Sequence, residues 1–154
     1  MKTLVIYDSF FGNTEKIAQA IGQSLETEII KVQNFKPEHL EDLEILIVGS
    51  PTRAFSPSPE IKSFLKALKR DSLKGVKVAA FDTRISLPDV NSKFLTFMVK
   101  LFGYADKPII KALVKKGGES AVPSEGFFVK ESEGPLANGE LERAVNWAKG
   151  ILTK

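Results

Sequence analysis

The sequence predicts an α/β protein: a three-layer, doubly wound, five-stranded parallel sheet of order 2-1-3-4-5. Three observations carry this. Short apolar runs alternate with amphipathic stretches along the 154 residues, the pattern of βαβ units. The runs are apolar at nearly every position, as in strands buried on both faces, rather than alternating. A loop rich in hydroxyls, with one glycine, follows the first run at once and leads into a helix. Right-handed crossovers then leave few topologies, and the common one places a ligand crevice where the first and third strands diverge.

The first strand is Thr3-Leu4-Val5-Ile6-Tyr7, and the helix after it keeps Ile17, Ile21 and Leu25 four residues apart on one face. Glu28 to Val32 is a short second strand. Leu43 to Gly49 gives the strongest buried-strand pattern. Ser58-Pro59-Glu60 opens a helix with a capping hydroxyl, proline at the first helical position and an acid in the first turn; Ile61, Phe64, Leu65 and Leu68 follow at helical spacing. Val76 to Phe81 is the fourth strand. Phe94, Phe97, Met98, Leu101 and Phe102 form an apolar stripe that stops at Gly103. Pro108 restarts a helix through Ile109, Ile110, Leu113 and Val114 to Gly117-Gly118. Ser120–Pro123 and Phe127–Lys130 read as a fifth strand broken at Pro123 and Gly126. Asn138 caps a last helix with Glu140 and Glu142 in its first turn and Leu141, Val145 and Ala148 facing inward.

Composition bounds the function. The chain is 43% hydrophobic and 27% charged, ordinary values for a globular protein, and residues 1–154 read as one domain. There is no cysteine, which excludes disulfides, thiolate nucleophiles and thiolate metal sites. The start lacks a signal-peptide layout, and no apolar run approaches the roughly 20 residues that span a bilayer. We therefore expect a cytoplasmic protein. The net charge of +3 comes from scattered lysines and arginines with no dense basic stripe, so neither nucleic acid nor a membrane is an expected partner. His39 stands alone and reads as structural or solvent-exposed. Ser9 and Ser50 have no neighbouring base, which argues against a hydrolase, and no metal set is present.

The topology selects the loops after strands one, three and four: Asp8–Thr14, Ser50–Ser58 and Asp82–Asn91. All three are rich in hydroxyls and proline or glycine, and two carry an arginine. A hydroxyl- and amide-rich loop before a helix start presents N–H groups to an anion, with the positive end of the helix dipole behind them. A plain strand-to-helix turn would need only a glycine and a cap. Asp8 also invites comparison with a phosphoaccepting receiver domain, but that chemistry needs an aspartate ending the third strand, where Gly49-Ser50 stands.

Val5-Ile6-Tyr7, then Ser9-Phe10-Phe11-Gly12-Asn13-Thr14-Glu15, and Ile47-Val48-Gly49-Ser50-Pro51-Thr52 resemble the first strand, phosphate loop and third-strand end of the flavodoxin or flavodoxin-like family. Glu133–Leu141 resembles a segment of other flavodoxin-like proteins but carries no mechanism. The resemblance implies non-covalently bound FMN and one-electron transfer between redox partner proteins by a monomer or weak dimer. It implies that Ser9, Asn13 and Thr14 donate side-chain hydrogen bonds to the FMN phosphate, with backbone N–H groups from Phe10, Phe11 and Gly12. It places Pro51, Thr52, Arg53, Ala54 and Phe55 along the flavin, and Asp82, Thr83 and Arg84 at its far rim. Phe55 either stacks on the ring or anchors the loop from beneath. The tyrosine that flavodoxins commonly place in the third of these loops has no counterpart in Asp82–Pro88.

Two alternatives stay open: an FMN-dependent NAD(P)H:quinone-type oxidoreductase, and a module that keeps the fold without flavin. The arginines leave a second choice. Arg53 and Arg84 either stabilise the reduced, anionic flavin, giving a less strongly reducing carrier, or pair with Asp82, Asp89 or Glu60 and brace the rim. The helix of Phe94–Tyr104 is expected to pack on the sheet beside Pro108–Lys116; a lid or a dimer interface are the functional alternatives.

Overall fold

The computed structural model describes residues 2–85 and 93–153. The strands are β1 (Thr3–Tyr7), β2 (Glu28–Lys31), β3 (Ile45–Pro51), β4 (Lys77–Ile85), β5 (Glu119–Ser120) and β6 (Glu125–Val129). The helices are α1 (Asn13–Leu25), α2 (Pro59–Ala67), α3 (Lys93–Phe102), α4 (Asp106–Lys115) and α5 (Glu140–Leu152). Two 3-10 turns, Val32–Asn34 and Pro37–Leu40, follow β2.

Every strand pairing in the sheet is parallel, in the order β2-β1-β3-β4-β5, with β6 also on β4. β5 and β6 are thus two pieces of one fifth position. Lys77 and Val78 pair with Glu119 and Ser120, and Phe81 to Ile85 pair with Glu125 to Val129. The break falls at Ala121–Ser124, which contains the proline expected to cause it; Gly126 lies inside β6.

Each face of the sheet carries its own core. On one side Leu4, Ile6, Leu46, Val48, Val78 and Ala80 meet α2 and α4 through Ile61, Phe64, Leu65, Ile109 and Leu113. On the other, Val5, Tyr7, Ile45, Ile47, Ala79 and Phe81 meet α1 and α5 through Ile17, Ile21, Ala144, Ala148 and Ile151. Successive residues of one strand thus serve opposite cores, which is why these strands read as continuous apolar runs.

Several expectations need correction. β3 begins at Ile45 and runs to Pro51, while β4 runs on to Ile85. Asp82, Thr83 and Arg84 are therefore strand residues, held by pairing with Gly126, Phe127 and Phe128, not loop residues. The cap of α5 is Gly139 at φ 83° rather than Asn138. The inward face is Ala144, Ala148 and Ile151, with Val145 half-buried and Leu141 exposed. α4 starts at Asp106, two residues before Pro108, and Val114 is exposed. α3 does not tuck its stripe against the sheet: Phe94, Phe97 and Leu101 are all exposed, while Val99 is buried. Ser86–Ser92 and the side chains of Met98 and Phe102 lie outside the described residues, so the Ser86–Asn91 part of the third loop, Asp89 included, does too.

Candidate functional site

The carboxyl ends of β1, β3 and β4 converge on a cavity of about 390 Å³. Its walls are Ser9, Phe10, Phe11, Asn13, Thr14, Pro51, Thr52, Arg53, Ala54, Thr83 and Arg84, joined by Ile85, Val129, Ser132 and Glu133. Gly12, Phe55 and Asp82 are not on its wall. Ile85 belongs to the third of the three loops, whereas Val129, Ser132 and Glu133 lie outside all of them. The signal was topological: the fifth strand also ends on this side of the sheet, and Val129–Glu133 follow its end.

The loop between β1 and α1 is shaped by two local hydrogen bonds and one left-handed turn. Asp8 Oδ1 accepts the Ser9 N–H at 2.9 Å, and Ser9 Oγ accepts the Gly12 N–H at 3.0 Å. Gly12 turns the chain at φ 90°, a left-handed value that glycine adopts without penalty. α1 then begins with no side chain capping it, so its first N–H groups have no partner within the helix. Acting as acceptor toward Gly12, the Ser9 hydroxyl keeps its own proton to donate. Asp8 is buried, and its Oδ2 has no hydrogen-bond partner among the described residues.

Two further contacts fix the first turn of α1. Thr14 Oγ1 and Thr83 Oγ1 lie 2.8 Å apart, both buried. Two hydroxyl protons serve one bond, so one remains for a ligand in the cavity that both residues line. Asn13 Nδ2 donates to the Glu133 carbonyl at 3.1 Å, using one of its two amide protons. Gly134 lets this happen: a Cβ there would stand 2.6 Å from Asn13 Oδ1. Tyr7 donates to Glu15 at 2.9 Å; burial, reinforced by that carboxylate, pushes its hydroxyl up to about 12.

The second loop is a tight hairpin. Arg53 and Ser56 exchange both backbone hydrogen bonds, at 2.8 and 3.0 Å. Ala54 and Phe55 between them have φ of 48° and 67°, the positive values of a type I′ turn. Neither is glycine, so the turn stores about 1–2 kcal/mol per residue. The Arg53 guanidinium lies over the Phe10 ring at 4.6 Å, clasping the first two loops. Ser50 Oγ accepts the Ser58 N–H at 2.9 Å, and Ser58 in turn caps α2.

Arg84 answers the question the sequence left open. Its Nε donates to Asp82 Oδ1 at 2.7 Å and its Nη2 to Asp82 Oδ2 at 2.6 Å, with Asp106 Oδ1 at 3.1 Å from the same Nη2. The Asp106 N–H donates to Asp82, and Ser124 donates to Asp106 Oδ2. Tyr104 covers the guanidinium at 3.7 Å. Arg84 therefore braces the rim. Burial drives Asp82 up to about 7 against the opposing pull of Arg84. His39, by contrast, accepts the Lys36 N–H in an exposed turn, a structural role.

Among the described residues no helix is long and apolar enough to cross a membrane, and no cluster of potential metal ligands occurs.

No curated protein matches the chain at a significant level. Solved structures do. Oxidised flavodoxin 2 from Bacillus cereus superposes with a TM-score of 0.77 at 23% identity, covering 99% of each chain. A flavodoxin from the domain Archaea gives 0.77 at 22% identity, covering 99% of this chain and 97% of that one. A flavodoxin, WrbA-like protein from Agrobacterium tumefaciens gives 0.74 at 18%, covering 99% and 95%. At such identities the likeness is one of fold. The sequence itself matches a family model, the flavodoxin domain, over residues 4–119. That span takes in all three cavity-forming strand ends from β1 to β4, and with it the chain belongs to the flavodoxin family.

Proposed function

We propose that this protein binds FMN non-covalently in the cavity at the ends of β1, β3 and β4 and serves as a small electron carrier between redox partner proteins. The observation that carries the reading is the uncapped, buried start of α1 opening on that cavity. The N–H groups there, with the Ser9 hydroxyl and the shared Thr14–Thr83 proton, suit a phosphate dianion without any lysine, since each bond to a charged group contributes about 1.5–3 kcal/mol. Bound FMN would supply the one-electron chemistry. The chain's own residues would hold and orient it: Ser9, Asn13 and Thr14 the phosphate, Pro51–Ala54 one edge of the ring, and Thr83 with Arg84 the far wall.

The test is the visible spectrum of the purified protein, followed by FMN titration of the stripped form. Yellow protein that rebinds near-equimolar FMN supports the reading. Protein that is colourless and ignores added FMN overturns it, and leaves the helix start for some other anion. Rapid NAD(P)H oxidation with a quinone acceptor would replace the carrier by the reductase.

A further inference from the structure

Two apolar surfaces lie outside the cavity. The first is on α3, where Phe94, Phe97 and Leu101, at i, i+3 and i+7, are 72%, 60% and 62% exposed. Lys93 and Lys100 are exposed on the same helix. The second is a groove of about 810 Å³ between α2 and the two 3-10 turns. Half-buried Phe35 and Leu40 line it over a floor of the buried Phe64 and Leu68, with Glu41 and Glu60 as its acidic members and Lys69 just past the end of α2. A monomeric protein rarely leaves a contiguous patch of large apolar side chains in water, and such patches mark contact surfaces.

The two surfaces match. α3 has 10 residues and α2 has 9, so at 1.5 Å per residue both are roughly 14–15 Å long. The stripe is apolar with lysines beside it; the groove is apolar with two glutamates beside it. α3 is held away from the groove of its own chain. The segment after it is fixed at the ends of β3 and β4, where the Ala105 N–H donates to Thr52 Oγ1 at 3.1 Å and Tyr104 covers Arg84. α4 follows at once, and α2, which packs on both α4 and the first 3-10 turn, stands between α4 and the groove.

We propose that two copies of this chain associate by each laying α3 into the α2 groove of the other, with Phe97 as the central anchor and Lys93 and Lys100 facing Glu41 and Glu60. The contact is a helix-in-groove interaction made twice about a two-fold axis. It needs no cofactor, and it uses no residue that lines the cavity at the ends of β1, β3 and β4.

Sedimentation equilibrium on the full chain tests this directly. The expected result is a monomer–dimer equilibrium with a Kd on the order of micromolar to tens of micromolar, the weak end for such interfaces. Phe97→Ser raises that Kd about tenfold or more. Two charge-reversed proteins decide the pairing, one carrying Lys93→Glu with Lys100→Glu and the other Glu41→Lys with Glu60→Lys. Each alone is monomeric, because its helix and groove then carry like charges; an equimolar mixture forms the heterodimer. All four charged side chains are exposed, and circular dichroism confirms that each variant is folded. A wild-type monomer at about 200 μM overturns the proposal, since that lies well above the expected Kd. So does a dimer indifferent to Phe97→Ser, a mixture that stays monomeric, or wild-type protein that stays monomeric and instead sediments with anionic vesicles.

Discussion

Gly126→Ala is the sharpest test of the reading that Arg84 is a clamped brace. Gly126 sits in β6 under the guanidinium, and a Cβ there would lie 2.1 Å from both Arg84 Cζ and Nε. The head group would have to retreat by roughly 1.4 Å to reach ordinary contact. It is bound to Asp82 by two short bonds, 2.7 and 2.6 Å, and neither survives such a shift. Charge-assisted bonds are worth about 1.5–3 kcal/mol each, and stranding a buried carboxylate costs about 3–5 kcal/mol. The backbone can absorb part of the strain, so we expect a loss of about 3 kcal/mol at pH 8 and a fall in Tm of about 6–12 °C for a chain of this size. Urea unfolding measures the first and calorimetry the second. At pH 5.5 the loss shrinks, because Asp82, pushed by burial to about 7, is then protonated and needs its cation less. In an Arg84→Ala background Gly126→Ala becomes nearly neutral, since nothing is left to displace. An equal loss in both backgrounds would refute the argument.

Asp82→Asn removes a group whose folded pKa lies above its usual 3.8. The folded state then binds the extra proton between about pH 4 and 7, so this group makes stability fall as pH rises through that window. Urea midpoints across it should decline more steeply for wild type than for the variant; parallel curves would sink the assignment. Glu140 behaves oppositely: burial raises its carboxyl, but Arg143 and the Phe128 N–H at 2.7 Å outweigh this and hold it below 4.5. Its contribution is present above that value and lost on acidification, so Glu140→Gln should cost about 1–3 kcal/mol at neutral pH and converge with wild type in acid. Ala54→Gly relieves one left-handed residue and should add about 0.5–1 kcal/mol by urea unfolding. Arg53→Ala, removing an exposed cation–π contact, should cost no more than about 1 kcal/mol.

The legible part of the fold was the part that packs. β1 and β3 are apolar at almost every position because both sheet faces are covered, and Ile17, Ile21, Phe64 and Leu65 show helical spacing because each helix is covered on one side only. The structure departs from the sequence pattern at element ends, where capping and strand pairing decide rather than periodicity. Asn138 has the side chain of a cap, but the chain makes its left-handed turn at Gly139, and packing on α1 turns Ala144, Ala148 and Ile151 inward and leaves Leu141 in solvent. Asp82 and Arg84 look like loop residues by polarity. Their pairing to β6 makes them strand, and burial of the strand end is tolerated because each charge finds the other.

That mutual satisfaction also changes the electrostatics of the site. The sequence offers two arginines beside the cavity and leaves open whether they act as free cations there or pair with carboxylates. In the fold, Arg84 is shared between Asp82 and Asp106, so the cluster carries no net positive charge whichever state Asp82 is in. Only Arg53 is left as a cation on the cavity wall without a carboxylate among the described ion pairs, and it is exposed and stacked on Phe10, where salt and water screen it. The direct attraction of Arg84 for any anion in the cavity, such as the reduced flavin of the proposed function, is therefore offset by its own carboxylates. Its influence is positional instead: Arg84 holds Asp82, Asp82 holds the Asp106 N–H, and Ala105 beside it holds Thr52 Oγ1. Through that chain of bonds the far wall of the cavity, the start of α4 and the second loop are one mechanical unit, so a change at Gly126 in the fifth strand reaches the cavity wall from outside its lining.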